Sequence, residues 1–288
     1  MARIAFYSQV NKYILYFLLG LVVAFLLFWW LSLENNDPYS GVRSLDEDGY
    51  VTITYHNASK KNHIAVSERH QTILQKLPKG YTFLKYKYII RGCSLSTFHR
   101  DVTSSQYIYD TKYPIYTYIE YTIPDNHIEP VPLLTVCPQS HKTTPFVYSS
   151  PVVIRGLGNM GVLFHCDLIH AGAINQLGEN RYAEQYKIAH VEDLVKLSHL
   201  QNIHMEKDGK CDISPFYEYI SRRISWIFAH IANHHFTSYL QTRPDTLDGK
   251  LLLYLYGREF YNGGGGTWVS AKLTPQSPLR VDAKTRPF

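Results

Sequence analysis

The chain has 288 residues, of which 45% are hydrophobic and 18% are charged. An apolar fraction of this size excludes a disordered chain, and four cysteines are too few for a small scaffold held together by disulfides. The formal net charge of +5 reflects 29 Lys and Arg against 24 Asp and Glu. Because no dense basic block accompanies this mild excess, we expect no nucleic-acid partner.

The segment 13–33 carries no charged side chain. As a helix it measures about 31 Å, which matches the hydrocarbon core of a bilayer. Two tyrosines stand near its first end, and Trp29 and Trp30 stand near the other, as in the aromatic belts of membrane-spanning helices. A cleaved signal peptide would end in small residues instead. The segment is therefore predicted to be an uncleaved, single-pass membrane anchor.

The charges that flank this segment predict its orientation. Arg3 and Lys12 precede it, whereas Glu34, Asp37 and Arg43 follow it. Cytosolic flanks of membrane spans are enriched in Lys and Arg. The small positive excess on the first side therefore predicts a cytosolic N-terminus and a main body that is lumenal or exoplasmic.

The rest of the chain mixes strand-like and helix-like segments. Short runs rich in Tyr, Ile, Val, Thr and Phe are typical of a β-sandwich or barrel, and they lie at 82–91, 113–122, 131–137, 145–154, 161–170 and 251–256. Apolar residues at helical spacing predict helices at 67–77 and 214–241. We therefore expect an α+β protein with five parts, namely an N-terminal tail (1–12), the anchor (13–33), a polar stem (34–49), a core (50–205) and a C-terminal helical extension packed on the core (206–288).

A candidate metal site begins at the FHRD segment, 98–101. In extended backbone, residues i and i+2 point to the same side, so the imidazole of His99 and the carboxylate of Asp101 can meet one metal ion. A third ligand has to come from elsewhere in the fold, and His170, at the end of VLFHCDLIH, is the best candidate. Two histidines and one carboxylate form the facial triad of non-haem Fe(II) oxygenases, which leaves positions open for a cosubstrate and O₂.

A positively charged residue follows the third candidate ligand along the sequence. Arg181 lies eleven residues after His170. A turn and the next strand would bring Arg181 back beside the metal-binding strand, where a guanidinium suits the far carboxylate of a dicarboxylate. A surface salt bridge is the alternative use of such a residue.

Taken together, these segments resemble the phytanoyl-CoA-dioxygenase-like family of Fe(II)/2-oxoglutarate oxygenases. The resemblance rests on three blocks in the family's order: FHRD at 98–101, PLLTVCPQSHK at 132–142 and the H-x₄-N-x₅-R spacing of 170–181. It implies a double-stranded β-helix, which is a jelly roll of the cupin type, with flanking helices. It also implies Fe(II) as the bound metal, with 2-oxoglutarate and O₂ as cosubstrates.

The family's functional residues can be carried over one by one. On this resemblance, His99, Asp101 and His170 are the iron ligands and catalytic residues, and Arg181 pairs with the 5-carboxylate of 2-oxoglutarate. The related halogenases lack the carboxylate ligand, so on this resemblance the presence of Asp101 implies hydroxylation, with desaturation as the alternative.

The remaining cosubstrate contacts depart from the family's pattern. A hydroxyl residue often lies two positions after the second histidine, and Gly172 stands there in this chain. Gln106, Tyr118 and Tyr116 are the candidate replacements, and Gln106 and Tyr118 join Arg181 in the predicted cofactor-binding set.

The sequence therefore predicts a membrane-anchored Fe(II)/2-oxoglutarate-dependent hydroxylase. Its substrate would be a small molecule, a lipid or a protein side chain. A catalytically silent jelly-roll membrane protein used for binding or scaffolding is the main alternative. A dinucleotide-dependent oxidoreductase is a weaker one, because the GxGxxG match at 156–161 is followed by the strand-like VLFH rather than by a helix. The histidines at 230, 234 and 235 have helical metal-ligand spacing, but a polar helix face explains them more simply.

Overall fold

The computed structural model describes residues 2–36, 43–54, 66–93, 97–101, 104–124, 129–142, 149–157, 160–174, 178–209 and 214–238. The helices are α1 (Ala2–Leu31), α2 (Val66–Leu74), α3 (Gln106–Tyr109) and α4 (Pro215–Ser238). The strands are β1 (Asn35–Asn36), β2 (Tyr50–Thr54), β3 (Tyr81–Gly92), β4 (Tyr116–Thr122), β5 (Val131–Val136), β6 (Val152–Gly156), β7 (Met160–His165), β8 (His170–Gly172), β9 (Tyr182–His190) and β10 (Ile203–Gly209).

The described strands form two sheets that face each other. The larger sheet has the order β10-β3-β9-β4-β7-β2, and the smaller has the order β1-β6-β5-β8. Neighbouring strands are antiparallel except in the pairs β1–β6 and β10–β3. One apolar cluster draws on both sheets, with Tyr50, Ile119, Tyr121, Val162, Phe164 and Ala183 from the larger and Val131, Leu134, Val136 and Ile154 from the smaller. The expectation of an α+β protein is confirmed at the level of mixed sheets with helices.

The larger sheet is also apolar on its outer face. There Ile73 and Leu77, on α2 and just after it, pack with Tyr118, Leu163 and Tyr186. Burial on both faces explains why all but the last residue of β4 and every residue of β7 are buried, and why these strands do not read as an alternation of polar and apolar residues. Hydrophobicity alone therefore does not show which residues of these strands face the space between the sheets. The alternation of side chains along each strand shows it.

Helix α1 contains the predicted anchor. Its segment Lys12–Leu31 has a mean hydropathy of 2.6 and is not buried against the rest of the protein. Apolar side chains such as Leu18 and Phe25 are 52% exposed. By length and composition this helix could cross a membrane, and a signal sequence near an N-terminus meets the same criteria.

One predicted strand differs from the observed structure. The run 161–170 was predicted as one strand, but β7 ends at His165, the chain turns, and β8 begins at His170. The helix predicted at 214–241 is present as α4, whereas the strand predicted at 251–256 lies outside the described residues. Strand β7 begins at Met160, inside the GxGxxG segment, so a strand stands where a dinucleotide site needs a helix.

Candidate metal centre

His99, Asp101 and His170 come together at one point of the fold. Their ligand atoms all lie within 4.8 Å of one another, and no other such group of three occurs among the residues that the structure describes. Nε2 of His170 is 3.8 Å from Oδ1 of Asp101. The centroids of the two imidazole rings are 4.5 Å apart. The residues that the sequence predicts as ligands are thus placed where one metal ion could contact all three.

The backbone sets this convergence. His99 and His170 face each other in an antiparallel bridge, and the N–H of each donates to the carbonyl of the other at 2.9 Å. Asp101 is held by its own N–H, which donates to the carbonyl of Cys166 at 3.1 Å. The turn after β7 therefore helps to form the site. The carbonyl of its residue Cys166 binds the backbone of Asp101, and the turn ends where β8 begins at His170.

Backbone carbonyls also orient the two imidazoles. Nδ1 of His99 lies 2.6 Å from the carbonyl of Thr97, and Nδ1 of His170 lies 2.9 Å from the carbonyl of Leu168. A carbonyl oxygen can only accept, so Nδ1 carries the proton in both rings and Nε2 keeps its lone pair. This arrangement is the one by which proteins present histidine to a metal.

Burial keeps these histidines neutral. It lowers the pKa of His99 to about 3, and the neighbouring His170 adds to the effect. Burial likewise lowers the pKa of His170, against the opposing influence of Asp101. At neutral pH both rings are therefore uncharged and need not lose a proton before they bind a cation.

Asp101 is fixed by a buried cation that the sequence did not point to. Its Oδ2 accepts hydrogen bonds from Oγ1 of Thr117, at 2.7 Å, and from Nζ of Lys187. The Lys187 side chain is 1% exposed, and it also donates to Thr117 at 2.8 Å. Burial alone would raise the pKa of Asp101, but Lys187 and the two histidines hold it below its usual value. The carboxylate is therefore ionised, with Oδ1 directed toward His170 and Oδ2 already engaged.

Arg181 lies immediately before the first residue of β9, and it is buried with 7% exposure. Residues 181, 183 and 187 share one face of the strand, and Ala183 belongs to the core between the sheets. Arg181 hydrogen-bonds to Tyr121, whose pKa burial raises to about 12. Its Nη1 is buried and has no hydrogen-bond partner among the residues that the structure describes. An orphaned guanidinium N–H in this space is a donor available to a buried anion.

The structure does not bring Tyr118 to this centre. Tyr118 packs with Ile73 and Leu77 on the outer face of the larger sheet, whereas the adjacent Thr117 contacts Asp101 from the inner face. Alternation along β4 requires this separation. Tyr116 belongs to the same outer cluster. The prediction that either tyrosine contacts a cosubstrate is therefore not supported by their placement.

Gln106 also has a different role from the predicted one. It begins α3, where its backbone N–H donates to Oδ2 of Asp167 at 3.0 Å. Its side chain reaches toward the carbonyl of Thr111 at 3.5 Å. These contacts fix the loop after the FHRD segment and give Gln106 no partner in the triad.

The other histidine of VLFHCDLIH lies away from the centre. His165 packs beside Tyr116 and His141, and β7 places it on the same face as Leu163, in the outer cluster. The side chains of residues 230, 234 and 235 lie outside the described set, so the structure does not address that alternative.

Comparison with known proteins gives structural similarity only. No protein-family model matches the chain, and no curated protein matches its sequence. The structure of EvdMO1 is 10% identical to this chain, with a TM-score of 0.35. The match covers 51% of this chain and 48% of EvdMO1, so this chain spans about half the length of that protein.

Two further similar structures contain bound ligands. EctD from S. alaskensis with 2-oxoglutarate and 5-hydroxyectoine is 12% identical over 55% of this chain and 80% of EctD, with a TM-score of 0.36. HygX from Streptomyces hygroscopicus with nickel and 2-oxoglutarate is 10% identical over 51% of this chain and 84% of HygX, with a TM-score of 0.35. Identities and TM-scores of this size do not place the chain in a family.

Proposed function

We propose that this chain is a membrane-anchored Fe(II)/2-oxoglutarate-dependent oxygenase that hydroxylates its substrate. The observation that carries the proposal is that a largely buried His-Asp-His cluster lies between the same two sheets as an arginine N–H that has no partner among the described residues. Other buried polar atoms, such as Oη of Tyr109, also lack a partner among the described residues, so the support comes from the position of Arg181 on the same face of its strand as Lys187, which contacts Asp101. Both features correspond to what the two halves of such a site require.

The donor set fits the metal. Two neutral imidazole nitrogens and one carboxylate oxygen suit Fe(II), and His99, Asp101 and His170 would hold it. When bound, the iron with 2-oxoglutarate and O₂ supplies insertion of one oxygen atom into a C–H bond, and the other products are succinate and CO₂. An intact carboxylate ligand favours hydroxylation over halogenation.

The protein's own residues would bind the cosubstrate and orient the metal ligands. Arg181 would pair with the far carboxylate of 2-oxoglutarate through the N–H that now has no partner. Tyr121 holds that guanidinium in place. Lys187 and Thr117 keep Asp101 in one orientation, so that one carboxylate oxygen faces the metal position. Burial of Asp101, His170 and Arg181, with His99 partly buried beside them, limits the access of water to the reacting groups.

The finer fold assignment belongs to the same proposal. Two facing sheets, with the candidate ligands on β8 and on a bridge beside it, are consistent with a double-stranded β-helix. The three sequence blocks favour the phytanoyl-CoA-dioxygenase-like family within the Fe(II)/2-oxoglutarate oxygenases. The division into tail, anchor, stem, core and C-terminal extension is kept as part of this proposal.

The membrane part of the proposal rests on α1. An uncleaved anchor is supported by contacts between its C-terminal end and the body, where Trp29 packs on Tyr219 and Arg223 donates to the carbonyl of Ser32. A lumenal or exoplasmic body agrees with Cys93, which is disulfide-bonded, because disulfides persist in oxidising compartments.

The test is turnover by the full-length protein in detergent. Purified wild type with Fe(II) and 2-oxoglutarate should release succinate when a membrane extract is added as the substrate source. Asp101→Ala should lose this release, since the metal would lose a ligand. Mass spectrometry of the extract should reveal products heavier by one oxygen atom. Succinate release at the wild-type rate by Asp101→Ala would contradict the assignment.

A further inference from the structure

The last turn of α1 is joined to α4 by side-chain contacts. The ring of Trp29 meets the ring of Tyr219 edge-on at 5.7 Å between centroids. The guanidinium of Arg223 lies 4.6 Å from the centre of the Tyr219 ring and donates to the carbonyl of Ser32. The first turns of α4 therefore lie beside the end of the apolar segment.

The residues that directly follow α1 are fixed to the body of the protein. Glu34 forms a buried ion pair with Arg222, at 2.8 and 3.0 Å, and accepts a hydrogen bond from Thr135 at 3.0 Å. The next two residues form β1, which extends the smaller sheet beside β6. The position of α4 relative to the end of α1 is consequently set by the fold.

Two large aromatic side chains of α4 face outward next to this junction. Phe216 is 75% exposed and Tyr217 is 53% exposed. Phe216 precedes Tyr219 by three residues, so the two lie on the same side of the helix, one turn apart. A phenylalanine exposed to this degree is unfavourable in water, and aromatic rings at this depth beside a membrane span occupy the interfacial belt.

We propose that the first turn of α4 lies in the bilayer interface, with Phe216 and Tyr217 among the lipid headgroups. The inference rests on the proposed anchor, since Trp29 marks the interface only if α1 crosses the membrane. The occupant of this surface is the lipid surface that α1 enters, because the apolar patch is continuous with the membrane end of α1 through the Trp29–Tyr219 contact.

This contact holds the candidate metal centre close to the membrane. Ser225 of α4 accepts a hydrogen bond from the N–H of Phe98 at 2.9 Å, and Arg222 donates to the carbonyl of Gly172. Phe98 directly precedes His99, and Gly172 follows His170 by two residues. The helix that touches the lipid is thus the helix that supports both histidine segments.

The experiment uses cysteine variants of the full-length protein, each labelled with an environment-sensitive fluorophore and reconstituted in phosphatidylcholine vesicles. Phe216→Cys reports on α4, Val22→Cys reports on α1, and Val195→Cys is the matched control because Val195 is an 86% exposed apolar residue elsewhere on the body. Of the four cysteines, Cys137 and Cys166 are buried, Cys93 is disulfide-bonded and Cys211 lies outside the described residues. The labelled wild type therefore supplies the background. Emission is measured with a lipid-borne nitroxide quencher and with iodide in the buffer.

The proposal expects fractional quenching by the nitroxide lipid at position 216 to exceed that at position 195 by at least about twofold, with the opposite order for iodide. Equal quenching at 216 and 195, with strong lipid quenching at 22, would overturn the α4 inference and leave the anchor intact. Loss of lipid quenching at 22 as well would overturn both.

Discussion

At the scale of single residues, the candidate centre depends on side chains that are held before any ligand binds. Backbone carbonyls of Thr97 and Leu168 fix the tautomer of the two histidines. Lys187 and Thr117 occupy the Asp101 oxygen that faces away from His170. A site whose donors are already oriented spends little binding free energy on ordering them.

Arg181 should control 2-oxoglutarate affinity without affecting the metal. A charge-assisted hydrogen bond contributes about 1.5–3 kcal/mol, so Arg181→Met should raise the KM for 2-oxoglutarate by roughly 10- to 100-fold. Fe(II) affinity should be unchanged, because Arg181 is not a ligand. Steady-state succinate release and Fe(II) titration measure the two quantities. The matched control is Arg91→Met, since Arg91 is an exposed arginine on the neighbouring strand. An unchanged KM in Arg181→Met would refute this role.

Lys187 should matter as the countercharge of Asp101. Lys187→Met keeps the apolar stem and leaves the buried carboxylate unpaired, which should destabilise the metal-free protein by about 3 kcal/mol. Adding Fe(II) should raise the melting temperature of Lys187→Met more than that of wild type, because the metal replaces the missing positive charge. Thermal unfolding with and without Fe(II) measures both effects.

The double variant Lys187→Met/Asp101→Asn separates charge from packing. It removes the unpaired carboxylate, so most of the lost stability should return. If the double variant is as unstable as Lys187→Met alone, Lys187 acts through its packing and not through its charge.

At the scale of elements, α4 and the connector after α1 stabilise each other through one buried ion pair. The Arg222 side chain is 1% exposed and the Glu34 side chain is 11% exposed. Burial alone would raise the pKa of Glu34, but Arg222 outweighs burial and the pKa stays below its usual value of 4.5. A carboxylate with a lowered folded-state pKa contributes stability above its unfolded pKa, and this contribution is lost as the pH falls.

Arg222→Met should therefore cost about 3 kcal/mol of unfolding free energy at neutral pH, because it leaves Glu34 buried and unpaired. Wild type should lose unfolding free energy as the pH falls below about 4.5, and this loss should be smaller in Glu34→Gln. Denaturant unfolding across pH measures both. Lys112→Met is the control, since it breaks an exposed pair with Glu192 and should leave the midpoint unchanged. A neutral effect of Arg222→Met would show that the junction is not stabilised by this pair.

At the scale of the whole molecule, the sequence predicts the parts of the site that depend on local spacing. His99 and Asp101 share a side because they are two residues apart in extended backbone, and their spacing is visible without a structure. The apolar segment 13–33 and helix α4 are likewise visible in the sequence because their patterns are long.

Features that depend on long-range register could not be predicted in the same way. Tyr118 is strand-like in sequence, but only the packing of α2 shows that it faces outward. Lys187 reads as an ordinary strand lysine until its strand is placed beside Asp101, 86 residues earlier. The Glu34–Arg222 pair spans 188 residues. A pattern of apolar residues carries no information on which polar residues meet across such distances.

The central claim is tested most directly by isothermal titration calorimetry. The full-length protein is titrated anaerobically with Fe(II) and then with 2-oxoglutarate. Wild type should bind a single Fe(II) and then 2-oxoglutarate only after the metal. His170→Ala and Asp101→Ala should lose both binding steps. His204→Ala, which removes an exposed histidine on β10, should behave as wild type. Fe(II) binding by His170→Ala with wild-type affinity, or 2-oxoglutarate binding without metal, would contradict the account.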